Sequence, residues 1–221
     1  MVETETKAET ETDTETAAPT RVEILLFPGF DELDAIGPYE VFENGAAMGA
    51  NLKTRLVTLE PTGLVTASHG LRVEPDATLG DPDLLVVPGG GWSTGEGGVR
   101  RVVEDGTLVE AVTERHENGA DIASVCTGAM ILAEAGILEE RPAVTHHVAL
   151  EDLEVYADVT DARVVDDGDV LTAGGVTSGI DLALWLLERE FGADIAASVA
   201  REMEHERRGE VVTRSNSRTE Q

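Results

Sequence analysis

The sequence predicts an α/β domain: a mostly parallel sheet covered on both faces by helices, with a cysteine at a sharp strand-to-helix turn. Three observations carry this expectation. Short apolar runs rich in Val, Ile and Leu alternate with amphipathic stretches of helical length. Two of the runs, Val22–Phe27 and Leu84–Val87, are cut off at once by Pro-Gly, as buried strands often are. Strands separated by helices rather than by tight turns imply parallel pairing, with helices packed on both faces.

The elements follow in order. Residues 1–20 are a Glu/Thr alternation with six acids, one lysine and little to bury, so they read as a disordered acidic tail. Val22–Phe27 is the first strand. Pro38–Met48 is amphipathic with Pro38 near its first turn, which predicts a helix. Thr54–Leu59 alternates as a strand. Val65–Thr66 and Leu71–Val73 flank a turn at His69–Gly70 and predict a small hairpin. Leu84–Val87 is a buried strand and Val99–Glu117 a helix. Asp121–Val125 is a strand that runs into a helix over Thr127–Ala135, stopped by Gly136. Ala143–Thr145 reads as a strand. Arg163–Asp166 and Val170–Thr172 pair around Asp167–Gly168, an Asp-Gly hairpin signal. Thr177–Glu190 and Ala193–Arg207 close the fold as helices. The organisation is one domain over residues 21–207, with residues 208–221 as a flexible C-terminal tail.

Composition narrows the function classes. A chain of 221 residues with 41% hydrophobic residues can build one sizeable core. No apolar run approaches the roughly 18–20 residues of a membrane span, so no membrane association is expected. The N-terminus is acidic, with no basic start and no apolar stretch, so no secretory signal is expected and the location reads as cytoplasmic. The single cysteine forbids an internal disulfide. Asp+Glu 44 against Lys+Arg 16 gives a net charge of −28, and Lys7 and Lys53 are the only lysines. Such a field repels a nucleic-acid backbone, so no nucleic-acid partner is expected. It suits a salt-rich cytoplasm, where self-repulsion is screened, and points to a halophile; an acidic mesophilic protein is the alternative.

In a parallel α/β sheet the ligand site lies beyond the carboxyl ends of the strands. Three segments fall there. Cys126 stands where a β-branched strand meets a helix, the geometry of a nucleophile elbow. The amides of the following helix are expected to favour thiolate and lower its pKa into about the 4–7 range. A lone cysteine also serves as a buried structural residue. The run "VVPGGGW" offers backbone N–H groups that can stabilise developing negative charge, with Gly90 and the amide of Thr127 as the expected donor pair and Gly91 beside them. A plain strand-to-helix loop is the other reading. Asp34 is placed to hydrogen-bond a thiolate and shuttle a proton if burial raises its pKa. Its alternative is a helix N-cap, and Asp31 and Glu32 read as surface charges. His146, 20 residues after the cysteine, can orient or protonate a group at the site, or simply be part of the structure. The histidines lack metal-ligand spacing, so no metal is expected.

The segments "LLFPGFDELDAIGP", "LLVVPGGG", "SVCTGAMILAEAGIL", "AVTHH" and "LTAGGVTSGIDLALWLLE" resemble the DJ-1/PfpI (ThiJ) superfamily over about Val22 to Arg207. The resemblance implies a flavodoxin-like three-layer sandwich. Within the superfamily the chain is most similar to the isocyanide hydratase branch, through Leu33–Asp34, Gly37–Pro38 and Cys126–Thr127–Gly128. That likeness implies Cys126 as nucleophile, Asp34 as its acidic partner and Thr127 as a hydroxyl neighbour. It implies hydration of an isocyanide to an N-formamide, no cofactor, a small electrophilic substrate and a homodimer. The intracellular-protease branch has His directly after the cysteine, where this chain has Thr127. The hydratase branch has Trp after the histidine, where this chain has His147. Two other functions remain open at this point: glyoxalase-type or deglycase activity on α-oxoaldehydes, and a redox-sensing or protective role through oxidation of Cys126.

Overall fold

The computed structural model describes residues 17–93 and 97–214. The chain runs through strand β1 (Thr20–Leu25), helix α1 (Glu32–Ala47), β2 (Leu52–Thr58), the short strands β3 (Val65–Thr66), β4 (Arg72–Val73) and β5 (Ala77–Thr78), and β6 (Leu84–Val87). Helices α2 (Gly98–Asp105) and α3 (Thr107–Glu117) lead to β7 (Asp121–Val125), then a 3-10 turn at Cys126–Gly128 and α4 (Ala129–Glu134). After β8 (Pro142–Ala143), α5 (Leu150–Leu153) and β9 (Asp158–Val159) come the pair β10 (Val164–Asp166) and β11 (Val170–Ala173). Helices α6 (Ser178–Phe191) and α7 (Ala193–Glu202) precede β12 (Val211–Thr213).

The central sheet has eight strands in the order β12-β10-β11-β7-β6-β1-β2-β5. Every adjacent pair is parallel except β10 with β11. Helices α1, α6 and α7 pack together as one layer, and α2, α3 and α4 as another. The central strands bury Ile24, Leu25, Leu85 and Ile122 completely, which is why they read as unbroken apolar runs. Gly45 lets α1 approach α6: a Cβ there would stand 2.7 Å from Leu187 Cδ2. Among the described residues no helix is long and apolar enough to cross a membrane.

The expected α/β sandwich is present, with local differences. Helix α1 begins six residues before Pro38, because Asp31 caps it: its carboxylate accepts the Leu33 N–H at 3.2 Å. Pro38 therefore lies inside the helix, where it cannot donate to the carbonyl of Asp34. The helix expected over Val99–Glu117 is two, broken at Gly106, whose φ of +81° suits glycine. Helix α7 ends at Glu202 rather than Arg207, and Glu204 turns the chain with φ +48°. Of the strand expected over Ala143–Thr145 only Ala143 is in one, the two-residue β8, which pairs with β9 outside the main sheet. The chain beyond Arg207 is not all tail: Val211–Thr213 adds an edge strand parallel to β10. Of the expected N-terminal tail, residues 1–16 lie outside the described residues; the Ala17 carbonyl accepts from Asn51 Nδ2 at 2.9 Å, and Thr20 begins β1.

Candidate active site

Strand β7 delivers Cys126 to the carboxyl edge of the sheet, and the backbone there turns sharply. Cys126 has φ +57°, a left-handed conformation that a residue with a Cβ adopts only when its surroundings enforce it. Two bonds do so. The Cys126 N–H donates to Gly174 O at 2.9 Å, and its carbonyl accepts from Thr145 Oγ1 at 2.8 Å. The next turn presses against the end of β6: a Cβ on Gly128 would stand 2.3 Å from the Val87 carbonyl oxygen, so only glycine fits.

Asp34 reaches the same place from the first turn of α1 and is fully buried. Its Oδ2 accepts the Gly89 N–H at 3.0 Å, while Oδ1 is buried without a hydrogen-bond partner of good geometry. Burial, then the negative charge of Asp31, raise its pKa to about 8, against the pull of the Gly89 amide and the Cys126 thiol. At neutral pH this carboxyl is protonated. Oδ2 serves as an acceptor, so the proton belongs on Oδ1. Asp34 is thus a buried acid next to the cysteine, and the N-cap role falls to Asp31.

Cys126 itself is 7% exposed. Burial and the neighbouring Asp34 push its thiol up to about 12, with the amides of Val176 and Thr127 pulling the other way. This reverses the expected depressed thiolate. The helix after the elbow is α4, of only six residues and reached through a 3-10 turn, so its dipole is weak where desolvation is strong. The resting pair at neutral pH holds both protons.

The glycine loop takes a different part from the one expected. Thr127 Oγ1 accepts the Gly90 N–H at 3.0 Å and donates to the Gly90 carbonyl at 2.7 Å. The Gly90 amide is engaged, and the two amides facing the sulfur are those of Thr127 and Val176. Gly91 O accepts the Arg100 N–H at 3.1 Å, which ties this loop to α2. Gly89 admits no side chain, since a Cβ would lie 2.7 Å from both Asp34 Oδ2 and Thr127 N.

Residues 174–177 lie outside the expected site residues, yet they wall the cysteine. Gly174 binds its N–H, Val176 presents an amide to the sulfur from a strained backbone at φ +23°, and Gly175 packs on His146. A Cβ on Gly175 would be 2.7 Å from His146 Cδ2. The available signal was the Gly-Gly pair ahead of a helix, at a strand's carboxyl end. His146 Nδ1 accepts the Val148 N–H at 3.3 Å, and burial, then His147, hold the imidazole below its usual pKa, so it is neutral. Its ring lies 4.1 Å from that of His147, centroid to centroid.

An open cleft of about 620 Å³ adjoins this site, lined by Asp31, Glu32, Leu33, His69, Leu71 and Val176. Asp31, Glu32 and His69 are close enough to share a cation. Their bonds are already directed inward: Glu32 accepts from His69 N at 2.8 Å and Leu71 N at 3.3 Å and meets His69 Nδ1 at 2.8 Å. Burial opposes its ionisation, but these bonds outweigh it and hold Glu32 at about 2. A second cavity, of about 240 Å³, sits at the amino ends of the strands near Thr20, Leu84, Asp121 and Arg189, away from Cys126.

An α/β sandwich with a buried cysteine at an elbow and a buried acid beside it defines a class of protein. Residues 20–189 match the DJ-1/PfpI family, and the chain belongs to it. It is 33% identical over 189 residues to the isonitrile hydratase of Pseudomonas putida, covering 84% of this chain and 78% of that one. It is 27% identical over 187 residues to Protein DJ-1alpha of Drosophila melanogaster, covering 81% and 82%. The crystal structure of Drosophila melanogaster DJ-1beta superposes with a TM-score of 0.75 at 22% identity, over 85% of this chain and 99% of that one.

Proposed function

We propose that this protein is a cysteine-dependent hydratase that converts isocyanides to N-formamides. The observation that carries the reading is the fully buried Asp34, protonated up to about pH 8, beside the sole cysteine. The likeness to an isonitrile hydratase supports it. An isocyanide carbon needs both a nucleophile and a proton, and a thiol paired with a neutral acid supplies them together.

Sulfur attacks the terminal carbon and forms the C–S bond. Asp34 Oδ1 gives its proton to that carbon and regains one from the sulfur, leaving a thioimidate. Water then adds across the C=N bond, its hydrogen going to nitrogen and its hydroxyl to carbon. The C–S bond breaks, the hydroxyl proton returns to sulfur, and the N-formamide leaves. The sum is isocyanide plus water, and the cycle draws on no cofactor. The Thr127 and Val176 amides stabilise negative charge on sulfur as the bond forms and breaks. Thr127 Oγ1 holds the Gly90 loop in place, Gly91 fixes that loop to α2, and His146 supports the Gly175 wall. The homodimer and the salt-rich setting belong to this reading as well.

The test is a substrate panel in molar KCl, chosen because of the −28 charge. Alkyl and aryl isocyanides and methylglyoxal are offered to the wild-type protein, with products followed by NMR. N-formamide formation is expected. Consumption of methylglyoxal with the isocyanides untouched would replace this function by a glyoxalase, and turnover of neither would remove the enzyme reading.

A further inference from the structure

Arg163 stands just before β10, opposite Gly174 at the end of β11. Its carbonyl accepts the Gly174 N–H at 3.0 Å. Its guanidinium donates to Thr177 Oγ1 at 3.0 Å through Nη2 and to Asp181 Oδ2 at 2.5 Å through Nε. One residue therefore grips both ends of the segment 174–177, the first end by backbone and the second by side chain.

What lies between those ends is the wall of the cysteine. Gly174 O takes the Cys126 N–H, Gly175 meets His146, and Val176 turns its amide to the sulfur. Val176 is held at φ +23°, a conformation a β-branched residue does not keep unaided. Asp181, 3% exposed on the first turn of α6, anchors the arginine from behind. It is itself held by His205 Nε2 at 2.9 Å and the Arg208 N–H at 3.3 Å. The side chain of Arg163 also packs under Gly209, where a Cβ would be 3.0 Å from its own.

We propose that Arg163 is a positioning residue: by clamping Gly174 and Thr177 it aims the Val176 amide at the Cys126 sulfur. It touches neither substrate nor sulfur. Asp181 keeps the fork oriented, and the C-terminal segment around His205 and Arg208 closes the back of the hub. Loss of the clamp lets Val176 relax toward an ordinary φ, and the sulfur loses one of its two amide donors. The proposal rests on Cys126 being the reactive group. Its test reads labelling rather than turnover, so it can fail while the hydratase reading stands, and the reverse.

Three full-length variants test it: Arg163→Gln, Thr177→Val and Arg189→Gln. Two quantities are read on each, the hydrogen-exchange rate of the Val176 amide by NMR and the rate of Cys126 alkylation by iodoacetamide at one fixed, mildly alkaline pH. Thr177 is exposed, so Thr177→Val removes the grip without opening the core and decides the matter if Arg163→Gln does not fold. In Arg163→Gln and Thr177→Val, exchange at Val176 is expected to rise roughly fivefold or more, and alkylation at the fixed pH to slow about threefold or more. Arg189→Gln loosens α6 and the β10–β11 pair at their far end, where Arg189 donates to the Gly168 carbonyl at 2.8 Å and to Asp121 Oδ2 at 2.5 Å, and is expected to leave both readings at wild type. Unchanged readings in the first two variants would overturn the proposal. An equal shift in Arg189→Gln would also overturn it, because the effect would then be general loosening.

Discussion

Replacing Asp34 with Asn is expected to lower turnover roughly 10²–10⁴-fold, the usual span for losing a general acid. Asn keeps an oxygen for the Gly89 N–H and a donor in place of Oδ1, but it has no proton to transfer. The same variant should be the more stable protein at alkaline pH. In the folded state Asp34 titrates at about 8, against 3.8 for an unburied carboxyl. Between those values the folded protein holds a proton that the unfolded chain has released, so this group's stability contribution is full below 3.8 and is lost as pH rises towards 8. Asn carries no such loss. The difference in unfolding free energy between Asp34→Asn and wild type should therefore grow in favour of the variant across that window and level off above it. The gain is on the order of a few kcal/mol, which is a rise in Tm of roughly 5 °C or more for a domain of this size. Urea titrations of both proteins across the window check it, and wild-type turnover should decline above about pH 8 as the acid ionises.

Cys126→Ala is expected to reduce turnover to the level of buffer with little change in fold. Alanine removes the sulfur yet leaves both backbone bonds that hold the elbow, to Gly174 and Thr145. It retains the positive φ, so it relieves none of the local strain. A small change in Tm together with complete loss of N-formamide formation would assign the chemistry to the sulfur. Residual turnover above about one per cent of wild type would point to direct attack by water on a carbon protonated by Asp34, because losing a covalent nucleophile costs orders of magnitude.

The elbow is legible in the sequence because a β-branched strand, Asp121–Val125, runs without a spacer into Cys126 and a helical stretch. Asp34 is legible as a candidate for a similar reason: it follows the first strand at the same edge of the sheet. Its burial is not, since Asp31, Glu32 and Asp34 are three acids within four residues and only packing separates the cap from the buried acid. Val176 escapes a reading by periodicity because it lies in a loop, and its role comes from a backbone amide that any residue but Pro would carry. Strands β5 and β12 are two and three residues long, too short for an alternation to register. The thiol's direction of shift is not legible, because a helix start is visible in sequence while desolvation depends on how tightly Asp34, Gly89 and the 174–177 segment close around the sulfur.

Raman spectroscopy of the S–H stretch tests the neutral thiol–acid pair most directly, since Cys126 is the only cysteine in the chain. The wild-type protein in molar KCl is followed from neutral pH upward, with Cys126→Ala as the blank. The account predicts an S–H band at neutral pH that persists well above the reference thiol pKa of about 8.5. A wild-type protein with an unmodified cysteine and no S–H band at neutral pH would contradict it, because the sulfur would then be a resting thiolate.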